Sequence, residues 1–241
     1  MSDTPLQTVA IEPAVLYFGT PVVLISTQNE DGSSNLAPMS SAFWLGWRCI
    51  LGLDGSSKTT ENLLRTGQCV LNLPSAAQVD AVDRIARSTG SDPVPDAKQM
   101  RGYRHERQKW EVSGLTPVPA QTVAPPRALE CPVQLEAVLA AENGFMADDP
   151  VWKDGIKVFE VRIQRVHVHP ALLMDGHDNR IDPDRWHPLI MSFQQFYGLA
   201  PGKLHPSRLG QIEEATYRSP DVERARTAGQ VTSSPRRLGS A

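Results

Sequence analysis

The sequence predicts a mainly β domain with peripheral helices, and three observations carry that reading. Apolar runs (Pro21–Thr27, rich in β-branched residues, then Trp47–Leu53 and Cys69–Leu73) are divided by turn signals such as Asn29-Glu-Asp-Gly32, which argues antiparallel pairing. Between Ile156 and His169, Phe159, Val161 and Ile163 alternate with Glu160, Arg162 and Gln164, after which the apolar phase moves to Val166 and Val168. A period of two that slips by one residue marks a bulge, as where a strand turns a barrel corner. Helical signals are short, over Thr60–Gly67 and Ser75–Ser88.

Taken in order, residues 1–14 show no periodicity and read as an extended arm. The segment Asn35–Trp44 contains Pro38, which has no N–H to give a ladder and so fits an edge or bulge position. A polar loop, Gly55-Ser-Ser-Lys-Thr59, enters the first helix, and Gly67 ends it. Ser75 caps the second, with Val79, Val82 and Ala86 on its apolar face and Asp80–Arg84 and Asp83–Arg87 pairs on the wet one. Residues 91–127 form an insertion with six prolines around the basic, aromatic stretch Arg101–Trp110, including a short helix from His105 to Val112. So long a connection is either functional or a solvated excursion. A strand over Leu129–Ala141 turns at Glu142-Asn-Gly144. The last 24 residues, 218–241, are poor in hydrophobic residues and carry five arginines against one Asp and one Glu, which predicts a disordered tail. The domain itself is expected to span 15–217.

Bulk properties exclude several classes. A formal net charge of −3 gives no reason to expect nucleic acid. No apolar run approaches the ~20 residues of a membrane span. Cys49, Cys69 and Cys131 sit in apolar surroundings without CxxC spacing, as expected of reduced, buried thiols in a cytoplasmic protein. Neither a GxGxxG nor a Walker loop is present. His167-x-His169 has a spacing some metal sites use, yet without HExxH or a Cys cluster it reads more simply as a solvated strand face, and no metal is expected. Asp182 and Asp184 flank Pro183 as turn residues.

Ser56, Ser57, Lys58 and Thr59 are the main candidates for ligand chemistry. Hydroxyls, one cation and the free N–H groups of a helix start suit a phosphate, while Ser57 and Thr59 also serve as ordinary N-caps. The wider pattern is Asn35-x-x-Pro38-x-Ser40-Ser41, then Ser-Ser-Lys-Thr59-x-x-Asn62-Leu63, then Gly67-x-Cys-Val-Leu-Asn72. It resembles the flavin reductase-like family with the FMN-binding split β-barrel fold, over about residues 15–197. The resemblance implies FMN, with Ser57, Lys58 and Thr59 on its phosphate. Asn35 and Met39-Ser40-Ser41-Ala42 would then lie along its ribityl chain and ring. Asn62 and Asn72 match family positions, although helix capping or turn bonding explains each equally well. Relatives pair as homodimers with flavin at the interface and use NAD(P)H as a transient hydride donor. Some place a C-terminal histidine near the nicotinamide, which makes His177 the catalytic candidate. The insertion would cover the flavin, with Arg101, Arg104 and Arg107 facing nucleotide phosphates or simply keeping the segment soluble. Two rivals stay open: an FMN-dependent oxidoreductase acting on an organic substrate, and a flavin carrier without turnover.

Overall fold

The computed structural model describes residues 8–153 and 155–233. Its centre is a seven-stranded antiparallel sheet built from β1 (Val23–Gln28), β2 (Ser34–Met39), β3 (Ala42–Leu45), β4 (Arg48–Asp54), β5 (Gln68–Leu73), β6 (Val133–Gly144) and β7 (Ile156–Val168). The spatial order is β2-β1-β5-β6-β7-β4-β3. The two edge strands, β2 and β3, are consecutive in sequence and joined by Ser40 and Ser41 alone, so the ends of the sheet meet there. The result is a barrel with one seam, as its strand pattern predicts.

Strand β1 shows why the apolar run Val22–Ile25 is continuous. Val23 and Ile25 point into the barrel with Cys49, Leu51, Cys69, Leu71, Phe159 and Val161. Val22 and Leu24 face outward into a second cluster with Leu36, Val82, Ile85, Leu115, Ala128 and Leu189. A strand buried on both faces has no need of alternation. The predicted phase slip in β7 is real. Its register with β6 jumps between Arg165 and Ile163, bulging Gln164 out, and Val166 and Val168 then pack on the same barrel cluster as Phe159. Strand β6 runs further than expected, through Gly144, because β7 continues to pair with Glu142, Asn143 and Gly144.

The helices are peripheral. Helix α1 (Lys58–Thr66) is capped by Ser57, whose Oγ accepts from Thr60 N, and is closed by left-handed Gly67 at φ 65°. The second predicted helix is shorter than expected. Ser75 forms a capping box with Gln78 over a 3₁₀ turn, and α2 covers only Val79–Arg84. Arg84 does not pair with Asp80; it donates to the carbonyls of Val112 and Ser113 and so ties α2 to the insertion. The insertion carries α3 (Asp96–Gln99) and α4 (Lys109–Ser113). It is anchored by buried Leu115 and by Trp110 against the outer cluster, so it is no solvated excursion.

The expected disordered tail is corrected in part. Pro220–Ser233 is helix α5, with Ala225 buried and Asp221 bound by Arg48 (Nε to Oδ2 2.8 Å). Pro220 fits a first helical position, and Asp221 and Glu223 favour the positive end of the helix dipole. Ion pairing replaces the apolar contacts that the composition lacks. Residues 234–241, like residues 1–7 of the expected arm, lie outside the described residues.

Candidate functional site

The registers create a cleft at the seam. Strand β3 pairs with β4 only from Arg48 to Leu51, which leaves Leu53 and Asp54 without a strand partner on that side. Opposite them stands the free edge of β2. A cleft of about 300 Å³ opens between these edges, lined by Asn35, Pro38, Met39, Ser40 and Ser41 on one side and Gly52–Asp54 on the other. That volume is at the lower end of small-molecule sites. Pro38 lies on an edge strand, as its missing N–H requires. Gly52 N donates to Ser41 O at 2.9 Å, and a Cβ on Gly52 would stand 3.3 Å from that of Ser41. The glycine lets the crossing chain lie close to β4.

The start of α1 and the insertion supply the rest. Ser57, Lys58 and Thr59 line the cleft with Asn35, Met39, Ser40 and Ser41, so seven of the predicted site residues come together. Their roles differ from the expectation in one respect. Lys58 Nζ is engaged by Glu61, at 2.7 Å from both carboxylate oxygens. The enclosed cation is Lys109 of α4, only 2% exposed, whose Nζ donates to Asn35 Oδ1 at 3.1 Å. Asn35 Nδ2 in turn donates to Thr59 Oγ1 at 3.2 Å. Gly90 packs on this chain so tightly that a Cβ there would lie 2.6 Å from Asn35 Oδ1.

Lys98, 7% exposed, also lines the cleft, and its nearest carboxylate oxygen is Asp54 Oδ2 at 3.9 Å. Arg101 reaches the same oxygen at 3.7 Å and lies 5.8 Å above the Tyr103 ring. Burial pushes the Lys109 ammonium down to about 7; Lys98 adds to that and Glu106 opposes it. Lys98 is lowered for the same first reason. Burial raises Asp54, but the Ser56 hydroxyl and amide, Lys98 and Arg101 outweigh it and hold the carboxylate below its ordinary value. Among the described residues Lys109 makes one hydrogen bond from three donors. An enclosed ammonium with open donors in a cleft is a site for an anion.

Five predicted residues stand elsewhere. Ser56 binds Asp54 Oδ1 through its amide (2.8 Å) and hydroxyl (2.6 Å). Ala42 is buried in the barrel core. The Asn62 amide donates to Thr27 Oγ1 and Asn29 Oδ1, tying α1 to the end of β1. Asn72 clamps Leu24 O and Ala128 N. Asn62, inside α1, and Asn72, inside β5, thus join separate elements of the fold and neither caps a helix nor closes a turn. His177 lines a separate depression beside Arg180, Glu213 and Glu214. Of the three arginines, Arg101 lines the cleft while Arg107 pairs with Asp31 and Arg104 is exposed on a short strand beside Ser88.

Lys98, Lys109, Asp54 and Gly90 had no signal in the sequence. Each acts through partners far away in the chain, and a lysine beside Trp110 in a short helix looks like a wet face. His167 is not solvated. Its Nε2 lies 2.7 Å from Glu136 Oε1, and His169 Nδ1 accepts from Ala171 N. No cluster of three metal-binding side chains occurs among the described residues. Nor is any helix among them long and apolar enough to cross a membrane.

Comparisons with known proteins bear on the family and the fold. A family model described as "Flavin reductase like domain" matches residues 15–200. The uncharacterized protein YdfE of Bacillus subtilis (strain 168) is 35% identical over 189 residues, covering 78% of this chain and 88% of its own. Among solved structures, flavoredoxin of Desulfovibrio vulgaris (Miyazaki F) superimposes with a TM-score of 0.66 at 20% identity, covering 85% of this chain and all of its own. Nitrilotriacetate monooxygenase component B from Bacillus cereus gives 0.63 at 17% identity, over 83% and 99%. At such identities these two structures speak for the fold.

Proposed function

From the premise that this chain belongs to the flavin reductase-like domain family, we propose that it is an FMN-binding oxidoreductase using NAD(P)H as hydride donor. The observation that carries the reading is Lys109, an enclosed lysine with open donors beside Thr59 and the start of α1. A phosphate monoester supplies the charge and acceptors this group lacks. Thr59, Lys109 and the first amides of α1 would hold it. Ser40 and Ser41 offer hydroxyls and backbone polar groups along the ribityl chain and ring edge, and Met39, Leu53 and Tyr17 give the flat apolar wall. When bound, the flavin supplies the redox chemistry, accepting hydride from the reduced nicotinamide. The chain's own part is to orient, to exclude water and to hold negative charge. Arg101, at the rim, is placed to meet the phosphates of the arriving nucleotide.

We also propose a homodimer. Phe18 and Phe193 stack edge to face at 5.0 Å yet stay exposed, next to exposed Tyr17 at the cleft mouth. Such a belt is what a second copy would cover.

The test is titration with FMN and riboflavin, followed by NADH and NADPH oxidation with FMN bound. A charge-assisted contact of ~1.5–3 kcal/mol gives FMN a ten- to hundredfold advantage. Equal dissociation constants would remove the phosphate argument. A yellow protein that oxidises neither nucleotide would leave a flavin carrier instead.

A further inference from the structure

Lys98 and Lys109 enter one cleft from separate helices of the insertion. Both ammonium groups are nearly enclosed, and neither has a carboxylate within hydrogen-bonding distance. The charged groups around them are few. Asp54 stands 3.9 Å from Lys98 but is shared with Arg101 and bonded by Ser56. Glu106 attracts Lys109 only through space and accepts from Gln108 N at 2.7 Å. Lys58, packed on Gly90, is neutralised by Glu61. Two like charges in a poorly solvated cleft disfavour each other, and the less solvated of them gives up its proton first.

We propose that this cleft binds a phosphate dianion together with a proton. Lys109 is the group that takes the proton up, because its enclosure in the cleft beside Lys98 disfavours the charged form until the anion arrives. The inference rests on the flavin-phosphate reading above and adds a regulation to it. The balance is simple: neutral Lys109 amine, one proton from solvent and the dianion give an ammonium paired with the dianion, and no covalent bond changes. Burial and Lys98 lower Lys109 in the free protein. A dianion placed beside it reverses that preference. Since a phosphate monoester is already dianionic above its second pKa of about 6, the proton must go to the protein at higher pH.

Calorimetric titration of the whole protein with FMN, in two buffers of different ionisation enthalpy, reads the proton number directly. At about pH 8 we expect close to one proton taken up, and a dissociation constant that weakens toward tenfold per pH unit above it. Riboflavin should bind with no proton uptake. Lys98→Met should still bind FMN but with a smaller proton number, because Lys109 then starts out more fully charged. Lys109→Met should bind weakly, with neither uptake nor pH dependence. FMN binding to the unaltered protein with no proton uptake overturns this inference and leaves the function reading standing. No FMN binding at all overturns both.

Discussion

Two buried charges mark where the insertion meets the barrel, and they differ in how they are met. Glu136 on β6 has a fully buried side chain that accepts from the Gln121 and Thr122 amides, the Thr122 hydroxyl and His167, with Arg127 at 3.9 Å. Lys109, at the cleft, makes a single hydrogen bond among the described residues, to a neutral amide oxygen. The first charge is answered by the chain and fastens the insertion to the barrel. The second is left open, which is why the proposed function gives it the anion. The same distinction sorts the asparagines. Asn62 and Asn72 have their donors filled within the fold, whereas Asn35 passes its polarity on to a lysine facing the cleft.

The contrast is sharpest at Glu136. Glu136→Leu strands His167 and two amides, and should cost about 3–5 kcal/mol in denaturant unfolding while sparing the cleft lysines. A loss under ~1 kcal/mol would mean that the cluster is not the bolt described here. Its pH signature has a defined sign. Burial opposes ionisation, but His167, Thr122 and the two amides prevail and hold the carboxyl at about 2. Its stabilisation is therefore complete above the unfolded-chain value and lost as pH falls from about 4.3 toward 2.

Gly90→Ala attacks the other region by sterics alone. The new methyl would collide with Asn35 Oδ1. Overpacking of this kind costs ~1–3 kcal/mol, and displacing Asn35 should weaken FMN binding by more than tenfold. Wild-type affinity in this variant would detach Asn35 and Lys109 from the ligand site.

Lys109 titrates in a different window from Glu136, and there the fold disfavours the charged form instead of favouring it. Its folded value, about 7, lies below the unfolded one. Stability of the ligand-free protein is thus penalised below about 7 and recovers as pH rises toward ~10, by at most ~1.4 kcal/mol per pH unit. Lys109→Met should flatten that rise in urea unfolding across the interval. An unchanged slope would show that the group is solvated. The smallest effect is expected at Lys58, already paired with Glu61. Lys58→Met should change FMN affinity less than ~threefold, as for an exposed ion pair, and a larger loss would return the phosphate to the residue first expected to hold it.

Local patterning made most of the barrel readable. Two-sided burial explains the run Val22–Ile25, the phase slip after Gln164 announced the bulge, and Ser57 and Gly67 bracket α1 where cap chemistry placed them. The β2 edge of the cleft and the α1 start were legible for the same reason. The other half of the site was not, because the insertion brings Lys98 and Lys109 to partners 44 and 74 residues away. No periodicity encodes such a contact. Helix α5 was hidden differently, since ions hold it where apolar residues would normally have signalled a helix.

The seam has one more consequence. An exposed strand edge is a row of unpaired amides and carbonyls that any other extended chain can adopt. The seven-stranded sheet has its free edges at β2 and β3, and beyond Leu51 the unpaired end of β4 faces the same opening. The gap that admits a ligand is therefore also where the barrel could template growth onto itself. Pro38 withholds one donor from that template. On the proposed reading, a ligand lying along Ser40 and Ser41 would stand where an eighth strand would pair, so filling the cleft would also close that edge to other chains.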